Sequence, residues 1–324
     1  GVLCMSHLQN VKKILCVGSV TVDIIIQHAS TVPPPGTLRS VENITSHVGG
    51  CAANAVADLA KLGLPVAISC LVGNDMFGDF VKKTLSDYGA DVRGIASSDR
   101  VKTTVSVVCL HESGERSFLY NPASSSAFTD TDISDALLDE CDIVFVAGAL
   151  LLSSFDGTPC ARFLRKAREK GKMTVLDTAW DFDDVWLPKI QEALPELDVF
   201  MPSYDEATRF SGETDPFAMA AKLHALGPKN VIIKLGKDGA LLSFDGEKPY
   251  ILPTYTAFKA VDSTGAGDSF CAGFLAGQAM GWDVRRSAEF ANAVATHCIM
   301  AVGASTAIPT VEKVLEFMDT HQIG

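Results

Sequence analysis

The chain has 324 residues, 47% of them apolar, and a net charge of −12, which indicates an acidic globular protein with one large domain or two smaller ones. The acidic charge excludes a general affinity for nucleic acid or anionic membranes, and the apolar runs are far shorter than the roughly 18 residues of a membrane-spanning helix. The nine cysteines lack metal-binding spacing, and the N-terminal residues do not resemble a signal peptide. We therefore expect reduced thiols and a cytoplasmic location.

The first predicted element is a strand over residues 14–19, and Asp23 follows it within an apolar sequence. Ligands of open parallel sheets bind beyond the carboxyl ends of the strands. A carboxylate there is suited to accept hydrogen bonds from sugar hydroxyls, although a capping or salt-bridged aspartate is an open alternative. Residues 24–48 show no helical period and are predicted to leave the α/β pattern as a β segment.

A pair of glycines, Gly49 and Gly50, comes directly before a predicted helix over residues 52–62 that carries Asn54. Two glycines allow the backbone to come close to a small ligand. The amide of Asn54 offers two donors and one acceptor near the same point. The alternative is a plain tight turn before a closely packed helix.

Strands and helices then alternate along the chain. The further predicted strands cover residues 67–72, 143–147, 174–177, 199–202, 231–235 and 240–244, and the predicted helices cover 77–88, 159–169, 216–226, 267–280, 285–302 and 311–320. This alternation predicts a mainly parallel sheet with helices on both faces. Residues 102–120 interrupt it as a predicted hairpin that turns around Gly114. The hairpin and residues 24–48 could pair as a small sheet, which would be a natural lid or dimer contact.

Two short segments place polar residues after predicted strands. The sequence MPSYDEA starts a helix with Glu206 in its first turn, and IKLGKDGALLSF places Lys234, Gly236 and Gly239 between two β runs. The second segment would suit a ligand site, but an ordinary hairpin or crossover turn fits it equally well.

The sequence DSTGAGDSF, residues 262–270, predicts a turn that enters a helix. Gly265, Ala266 and Gly267 leave backbone N–H groups open to an anion at the positive end of the helix dipole. Asp268 follows in the first turn, where an acid is also common for purely structural reasons. A bound anion beside a carboxylate suits phosphoryl transfer, because the N–H groups stabilise charge and the carboxylate accepts the proton of the attacking hydroxyl. No P-loop or dinucleotide fingerprint competes with this interpretation.

The segments GGCAANAVADLAKLG, LVGNDMFGDF and DSTGAGDSF together resemble the signatures of the PfkB/ribokinase family of carbohydrate kinases, in the family's order and across about residues 12–315. The resemblance implies a ribokinase-like three-layer α/β sandwich with a mainly parallel central sheet and a small β-sheet lid. It implies a body of residues 12–24, 49–100 and 128–324 and a discontinuous lid of residues 25–48 and 101–127. Because such lids often form the dimer interface, a homodimer through the lid is expected.

The resemblance also implies roles for individual residues. Asp268 would be the catalytic base, beside an anion hole formed by Gly265, Ala266 and Gly267. The residues that would hold substrate hydroxyls are Asp23, Gly49, Gly50 and Asn54. The residues that would line the nucleotide site are Lys234, Gly236 and Gly239, with Asn292 near the base of ATP.

Metal roles follow from the same resemblance, with two departures. Glu206 would organise Mg²⁺ through water, but Ser203 stands where the family's N-x-x-E motif has Asn. Asp262 and Thr264 match the first half of a monovalent-cation site, whereas Ala307 stands where ribokinase-like members offer a Ser oxygen. The implied cofactors are therefore ATP and Mg²⁺, and K⁺ is a further candidate.

The sequence thus predicts an ATP-dependent kinase that phosphorylates a hydroxyl of a small sugar. A nucleoside kinase is the nearest alternative, with Phe118 or Tyr120 as a wall for the base. A sugar phosphate would require a basic side chain such as Arg39 or Arg116. A catalytically silent sugar-binding regulator is the alternative from another class, favoured by the Ser203 departure and opposed by the presence of Asp268.

Overall fold

The computed structural model describes residues 10–27, 33–111, 116–255 and 258–324. Its strands, in chain order, are β1 (Ile14–Gly18), β2 (Thr21–Gln27), β3 (Ile44–Gly49), β4 (Val66–Gly73), β5 (Asp91–Ser98), β6 (Val105–Leu110), β7 (Arg116–Asn121), β8 (Ile143–Ala149), β9 (Met173–Thr178), β10 (Val199–Phe200), β11 (Asn230–Lys234), β12 (Ala240–Ser243) and β13 (Tyr250–Leu252). Its α-helices are α1 (Cys51–Leu62), α2 (Met76–Asp87), α3 (Ala123–Ala127), α4 (Asp135–Glu140), α5 (Thr158–Glu169), α6 (Tyr204–Ser211), α7 (Pro216–His224), α8 (Ala266–Ala279), α9 (Val284–Ile299) and α10 (Val311–Thr320).

The large sheet has the strand order β13-β12-β11-β10-β9-β8-β1-β4-β5. Its strands are parallel except at one edge, where β12 runs antiparallel to both β11 and β13. Successive residues of β1 face opposite sides, so that Ile14 and Cys16 enter one hydrophobic core and Leu15 and Val17 enter the other. This strict alternation within a fully buried strand confirms the three-layer α/β sandwich.

The two helical layers contain different parts of the chain. Helices α1, α2, α8, α9 and α10 contribute to one core, and α4, α5, α6 and α7 contribute to the other. Two glycines allow helices α8 and α9 to pack closely. A Cβ on Gly273 would lie 2.6 Å from the Cα of Ala291, and a Cβ on Gly277 would lie 2.7 Å from the Cα of Ser287. These two glycines therefore fix α8, whose N-terminal turn was predicted to bind an anion.

A second sheet has the order β3-β2-β6-β7. It confirms that the two predicted β segments pair with each other. The pairs β2–β3 and β6–β7 are antiparallel and β2–β6 is parallel. The hairpin turn that was predicted around Gly114 lies outside the described residues, as does the side chain of Arg116.

The small sheet begins earlier than predicted. Asp23 does not lie in a loop after β1 but within β2, opposite His47 of β3 and Ser106 of β6. The chain leaves the large sheet at Gly18, where a Cβ would lie 2.0 Å from the carbonyl oxygen of Ala147. The apolar sequence around Asp23 is therefore a second strand rather than an extension of the first.

The remaining differences concern short or edge elements. Strands β5 and β13 and helices α3 and α4 were not predicted, because an edge strand and a helix of five or six residues leave a weak periodic signal. The eight cysteines within the described residues are free, and most of them are buried, as predicted. In the described ranges, no helix is both long enough and apolar enough to cross a membrane.

Candidate active site

The turn before α8 forms as the sequence predicts. Gly265 caps the helix with φ of 77°, a conformation that favours glycine, and a Cβ there would lie 2.5 Å from the Cβ of Ala304. The amide of Ala266 donates to the carbonyl of Ser263 at 3.2 Å. Of the three predicted anion-hole donors, Gly265 and Gly267 are therefore better placed than Ala266 to bind an anion.

The predicted base, Asp268, lies in the first turn of α8. The side-chain amide of Asn54 donates to Oδ2 of Asp268 at 2.8 Å, across 214 residues of sequence. Burial raises the pKa of Asp268, while Asn54, Lys234 and Cys51 act in the opposite direction. Asn54, predicted to hold substrate hydroxyls, thus also orients the carboxylate that was predicted to be the base.

A cavity of about 460 Å³ lies between the small sheet, helices α1 and α2, and the loops that contain Asp262 and Gly303. Asp23, Gly49 and Asn54 line it together, so three of the four predicted substrate residues meet at one cavity. Gly49 has no space for a side chain, because a Cβ would lie 2.2 Å from Oδ2 of Asp23. Gly50, the fourth, caps α1 with φ of 90°. A volume of this order suits a small organic ligand.

The carboxyl of Asp23 faces this cavity from β2. Burial, partly offset by a hydrogen bond with Thr21, raises its pKa to about 6. A partly desolvated carboxylate is stabilised by donors that a ligand brings. Sugar hydroxyls are suitable donors of this kind.

An ion pair that the sequence analysis missed lies beside α8. Lys234, at the end of β11, places its Nζ 2.7 Å from both carboxylate oxygens of Asp177, the penultimate residue of β9. Burial disfavours the charge of Lys234, but Asp177, Cys271 and Glu206 more than offset this effect and raise its pKa. The sequence did contain a signal for Asp177, because this residue ends a predicted buried strand. Asp23 was singled out for a similar reason, since it follows the first predicted strand.

Ser203 and Glu206 form a reciprocal capping box at the start of α6. Glu206 Oε2 accepts from the backbone amide of Ser203 at 2.8 Å and from the hydroxyl of Thr178 at 3.0 Å. Burial raises the pKa of Glu206, and the charge of Asp177 raises it further. The serine that departs from the family motif therefore has a structural role, and a Glu206 carboxylate held in this way suits contact with Mg²⁺ through water.

The predicted nucleotide residues occupy one edge of the large sheet. Gly236 and Gly239 lie in the turn between β11 and β12, and a Cβ on Gly239 would lie 2.0 Å from the carbonyl oxygen of Leu252. Asn292 in α9 is buried, and its side-chain amide donates to the carbonyl of Pro253 at 2.9 Å. These contacts fix the backbone around the predicted nucleotide site. The predicted contact of Asn292 with the base of ATP stays a prediction.

Asp262 connects the two loops of the predicted monovalent-cation site. Its Oδ1 accepts from the amide of Thr264 and its Oδ2 from the amide of Gly303, each at 3.0 Å. Across the described part of the chain, no group of three or more His, Cys, Asp or Glu side chains could hold a metal ion. Mg²⁺ at its predicted place beside Glu206 would accordingly depend on water and phosphate oxygens, as Mg²⁺ commonly does.

The groups around the start of α8 are arranged in a way that suits one type of chemistry. A helix N-terminus, a lysine ammonium and the buried carboxylate of Asp268 lie together, next to a cavity that is lined by a second carboxylate, Asp23. This arrangement can hold a phosphoryl group and remove a proton from a hydroxyl that attacks it.

The model of the pfkB family of carbohydrate kinases matches residues 11–311. The chain belongs to this family. The match covers nearly the whole chain and confirms the resemblance that the glycine motifs indicated. As a pfkB-family member, the chain is a phosphotransferase that acts on a hydroxyl group, in a family whose acceptors are sugars or nucleosides.

Relatives support the family over most of the chain. Ribokinase of Arabidopsis thaliana is 30% identical over 312 residues, covering 94% of this chain and 80% of the relative. A nucleoside kinase of Methanothermobacter thermautotrophicus is 28% identical over 312 residues, covering 94% and 96%.

Among solved structures, Arabidopsis ribokinase complexed with ribose and ATP superposes with a TM-score of 0.85 at 28% identity, covering 94% of this chain and 98% of the other. An E. coli structure named as a ribokinase II, in complex with ATP and Mg²⁺, has a TM-score of 0.80 at 25% identity, covering 96% and 100%. The ribokinase-like fold is thus confirmed.

Proposed function

We propose that this chain transfers the γ-phosphoryl group of ATP to a hydroxyl of a small neutral sugar, with Asp268 as the base. The observation that carries the proposal is the contact between Asn54 and Asp268, 2.8 Å long. It joins the wall of the Asp23 cavity to the first turn of α8. The acceptor and the phosphoryl group would therefore meet at one carboxylate.

In this mechanism, Asp268 accepts the proton of the attacking hydroxyl. The amides of Gly265 and Gly267 and the ammonium of Lys234 stabilise the charge on the transferring group, as donors that are fixed before the reaction. Asp23 and Gly49 orient the sugar, and the small sheet excludes water from the cavity. A positioned base contributes roughly 10²–10⁴-fold in rate.

ATP and Mg²⁺ are supported by the solved relatives that contain them, one with ribose and ATP and the other with ATP and Mg²⁺. When bound, Mg²⁺ supplies neutralisation of phosphate charge. Glu206 would hold it through water, and its carboxylate already lies in the same cluster as Asp177 and Lys234. K⁺ would bind between the loops that Asp262 joins, and dependence on K⁺ is part of this proposal.

A neutral sugar is favoured over a sugar phosphate, because the described residues of the cavity wall include one lysine, Lys61, and no arginine. The ammonium of Lys61 already donates to the carbonyl of Ser305 at 2.6 Å. A nucleoside is the second candidate. The observation that favours it is Phe118, which lines the cavity and is 61% exposed. An exposed aromatic ring can stack on a base or on the apolar face of a sugar.

We also propose that the chain forms a homodimer through the small sheet. The register places Ile24 opposite Val107 and Ile26 opposite Ile44, and Val107 opposite Leu119, so these side chains share the face away from the cavity. Ile44 and Leu119 are 58% and 61% exposed. An apolar sheet face of this kind is suited to association with a second copy.

The test of the function is ADP release from ATP and Mg²⁺ in the presence of pentoses, hexoses, sugar acids, sugar phosphates and nucleosides. One compound should drive turnover, and Asp268→Asn should lower kcat by at least about 100-fold without changing the melting temperature substantially. Asp79→Asn is the matched control, since Asp79 lies in the first turn of α2 and is exposed. Turnover of Asp268→Asn near that of the wild type would reject the base. Binding of a sugar without any turnover would favour the regulator.

A further inference from the structure

The pair Asp177–Lys234 is more enclosed than an ordinary ion pair. The side chains of Lys234 and Asp177 are 12% and 3% exposed, and both carboxylate oxygens lie 2.7 Å from Nζ. Oδ1 of Asp177 also accepts the backbone amide of Thr178 at 2.9 Å. Buried ion pairs contribute little net stability compared with apolar side chains of the same size. The pair therefore calls for an explanation other than stability.

The location of the ammonium provides that explanation. A Cβ built on Gly267 would lie 3.5 Å from Nζ of Lys234, so the ammonium lies directly against the turn at the start of α8. Asp177, Glu206 and Asp268 all interact electrostatically with the same ammonium. One cation thus lies among three acids, beside the amides that would receive a phosphate group.

The choice among these three acids has chemical consequences. If Lys234 paired with Asp268, it would stabilise the ionised base and make it a weaker proton acceptor. If it paired with Glu206, it would compete with Mg²⁺. Pairing with Asp177 weakens both effects, although Lys234 still lowers the pKa of Asp268. Two of the three N–H donors of the ammonium are directed to the carboxylate oxygens of Asp177, and the third has Sγ of Cys271 at 3.7 Å, a weak acceptor that a phosphoryl oxygen can replace.

We infer that Asp177 is a positioning residue that holds Lys234 against the α8 turn, where the ammonium recognises the terminal phosphate of the nucleotide. This inference rests on the proposed function, since it presumes that a nucleoside triphosphate binds at that turn. The nucleoside diphosphate lacks the group that Lys234 contacts. Discrimination between the two nucleotides, rather than overall affinity, is therefore the property that Asp177 controls.

The test is the ratio of the Kd of ADP to the Kd of the non-hydrolysable β,γ-imido analogue of ATP, each measured by calorimetry with Mg²⁺. Lys234→Met and Asp177→Asn should each lower this ratio roughly tenfold or more, with the Kd of ADP nearly unchanged. The double variant should lower it no further than either single one. Asp177→Glu retains the buried charge but displaces Nζ, so it should lower the ratio even if Asp177→Asn does not fold.

The control is Asp198→Asn. Asp198 pairs with Lys229 at 2.8 Å, outside the predicted site, and its replacement should leave the ratio unchanged. A purely structural role for Asp177 would lower stability without altering the ratio. An unchanged ratio in Lys234→Met, or in both Asp177 variants, would overturn the inference while the kinase proposal stands. Absence of nucleotide binding by the wild type would reject the proposed function itself, and the inference with it.

Discussion

Asp58 is the buried carboxyl whose replacement should change the pH dependence of stability most clearly. It is fully buried in α1. Its Oδ2 accepts from the hydroxyl of Ser269 at 2.5 Å, and its Oδ1 has no hydrogen-bond partner among the described residues. The pKa of Asp58 is raised from an ordinary 3.8 to about 7, mainly by burial. The charge of Asp268 contributes to this rise, while Ser269, Ser305 and Lys61 partly offset it.

The direction of the effect follows from proton uptake. Between pH 3.8 and about 7 the folded protein keeps the proton of Asp58 and the unfolded chain has released it. The unfolding free energy therefore falls as pH rises through this window, and the loss is complete above about pH 7. Each pH unit contributes about 1.4 kcal/mol. Between about pH 5 and about pH 8, only the two pH units below about pH 7 lie within the window, so the unfolding free energy falls by about 2–3 kcal/mol.

Asp58→Asn has no such titration. Its unfolding free energy, measured with urea, should shift by about 2–3 kcal/mol in favour of the variant relative to the wild type between about pH 5 and about pH 8. Comparison with the wild type cancels the contributions of the other buried acids to the pH dependence. The control is the exposed Asp79→Asn, which should show no such shift. An equal difference at both pH values would mean that Asp58 titrates near its ordinary pKa, and the argument from burial would be wrong.

Three other outcomes are expected. Gly265→Ala should cost roughly 1 kcal/mol or more and slow turnover through the contact with Ala304. Gly246→Ala has the same φ of 77° in open space, so an equal loss in the two variants, by thermal unfolding and kcat, would contradict the clash. The pH profile of kcat/KM should fall on the acid side at a pKa above the ordinary value of aspartate, because burial raises the pKa of Asp268 and only its ionised form accepts a proton; a profile that stays flat into the ordinary range would contradict this. Leu119→Arg should yield a monomer by light scattering, and an unchanged dimer mass would exclude the outer face of the small sheet.

The sequence was sufficient for the layers and for the turn at α8. Hydrophobic alternation marks the buried strands because each residue of a central strand faces a core. The glycines mark close approaches, and Gly49 and Gly265 both lie where a Cβ would clash. Features with a local physical cause were therefore predictable from the chain alone.

Side-chain partners across the fold were not predictable in this way. Lys234 and Asp177 are 57 residues apart, and Asn54 and Asp268 are 214 residues apart. No local pattern encodes which carboxylate an ammonium selects among several. The sequence showed that Ser203 departs from the family motif, but not that its hydroxyl caps α6, as it does in the structure.

Strand β2 has two faces, one toward the cavity and one toward the outside of the small sheet. Asp23 and Ile25 line the cavity, while Ile24 and Ile26 alternate with them toward the outer face. A strand is stiff along its length, so a tilt that brings Asp23 toward a ligand also turns the adjacent isoleucines. Occupancy of the cavity and the proposed self-association would thus be mechanically connected through seven residues of backbone. Saturation curves measured at a single protein concentration would combine the two, and only a series of concentrations separates them.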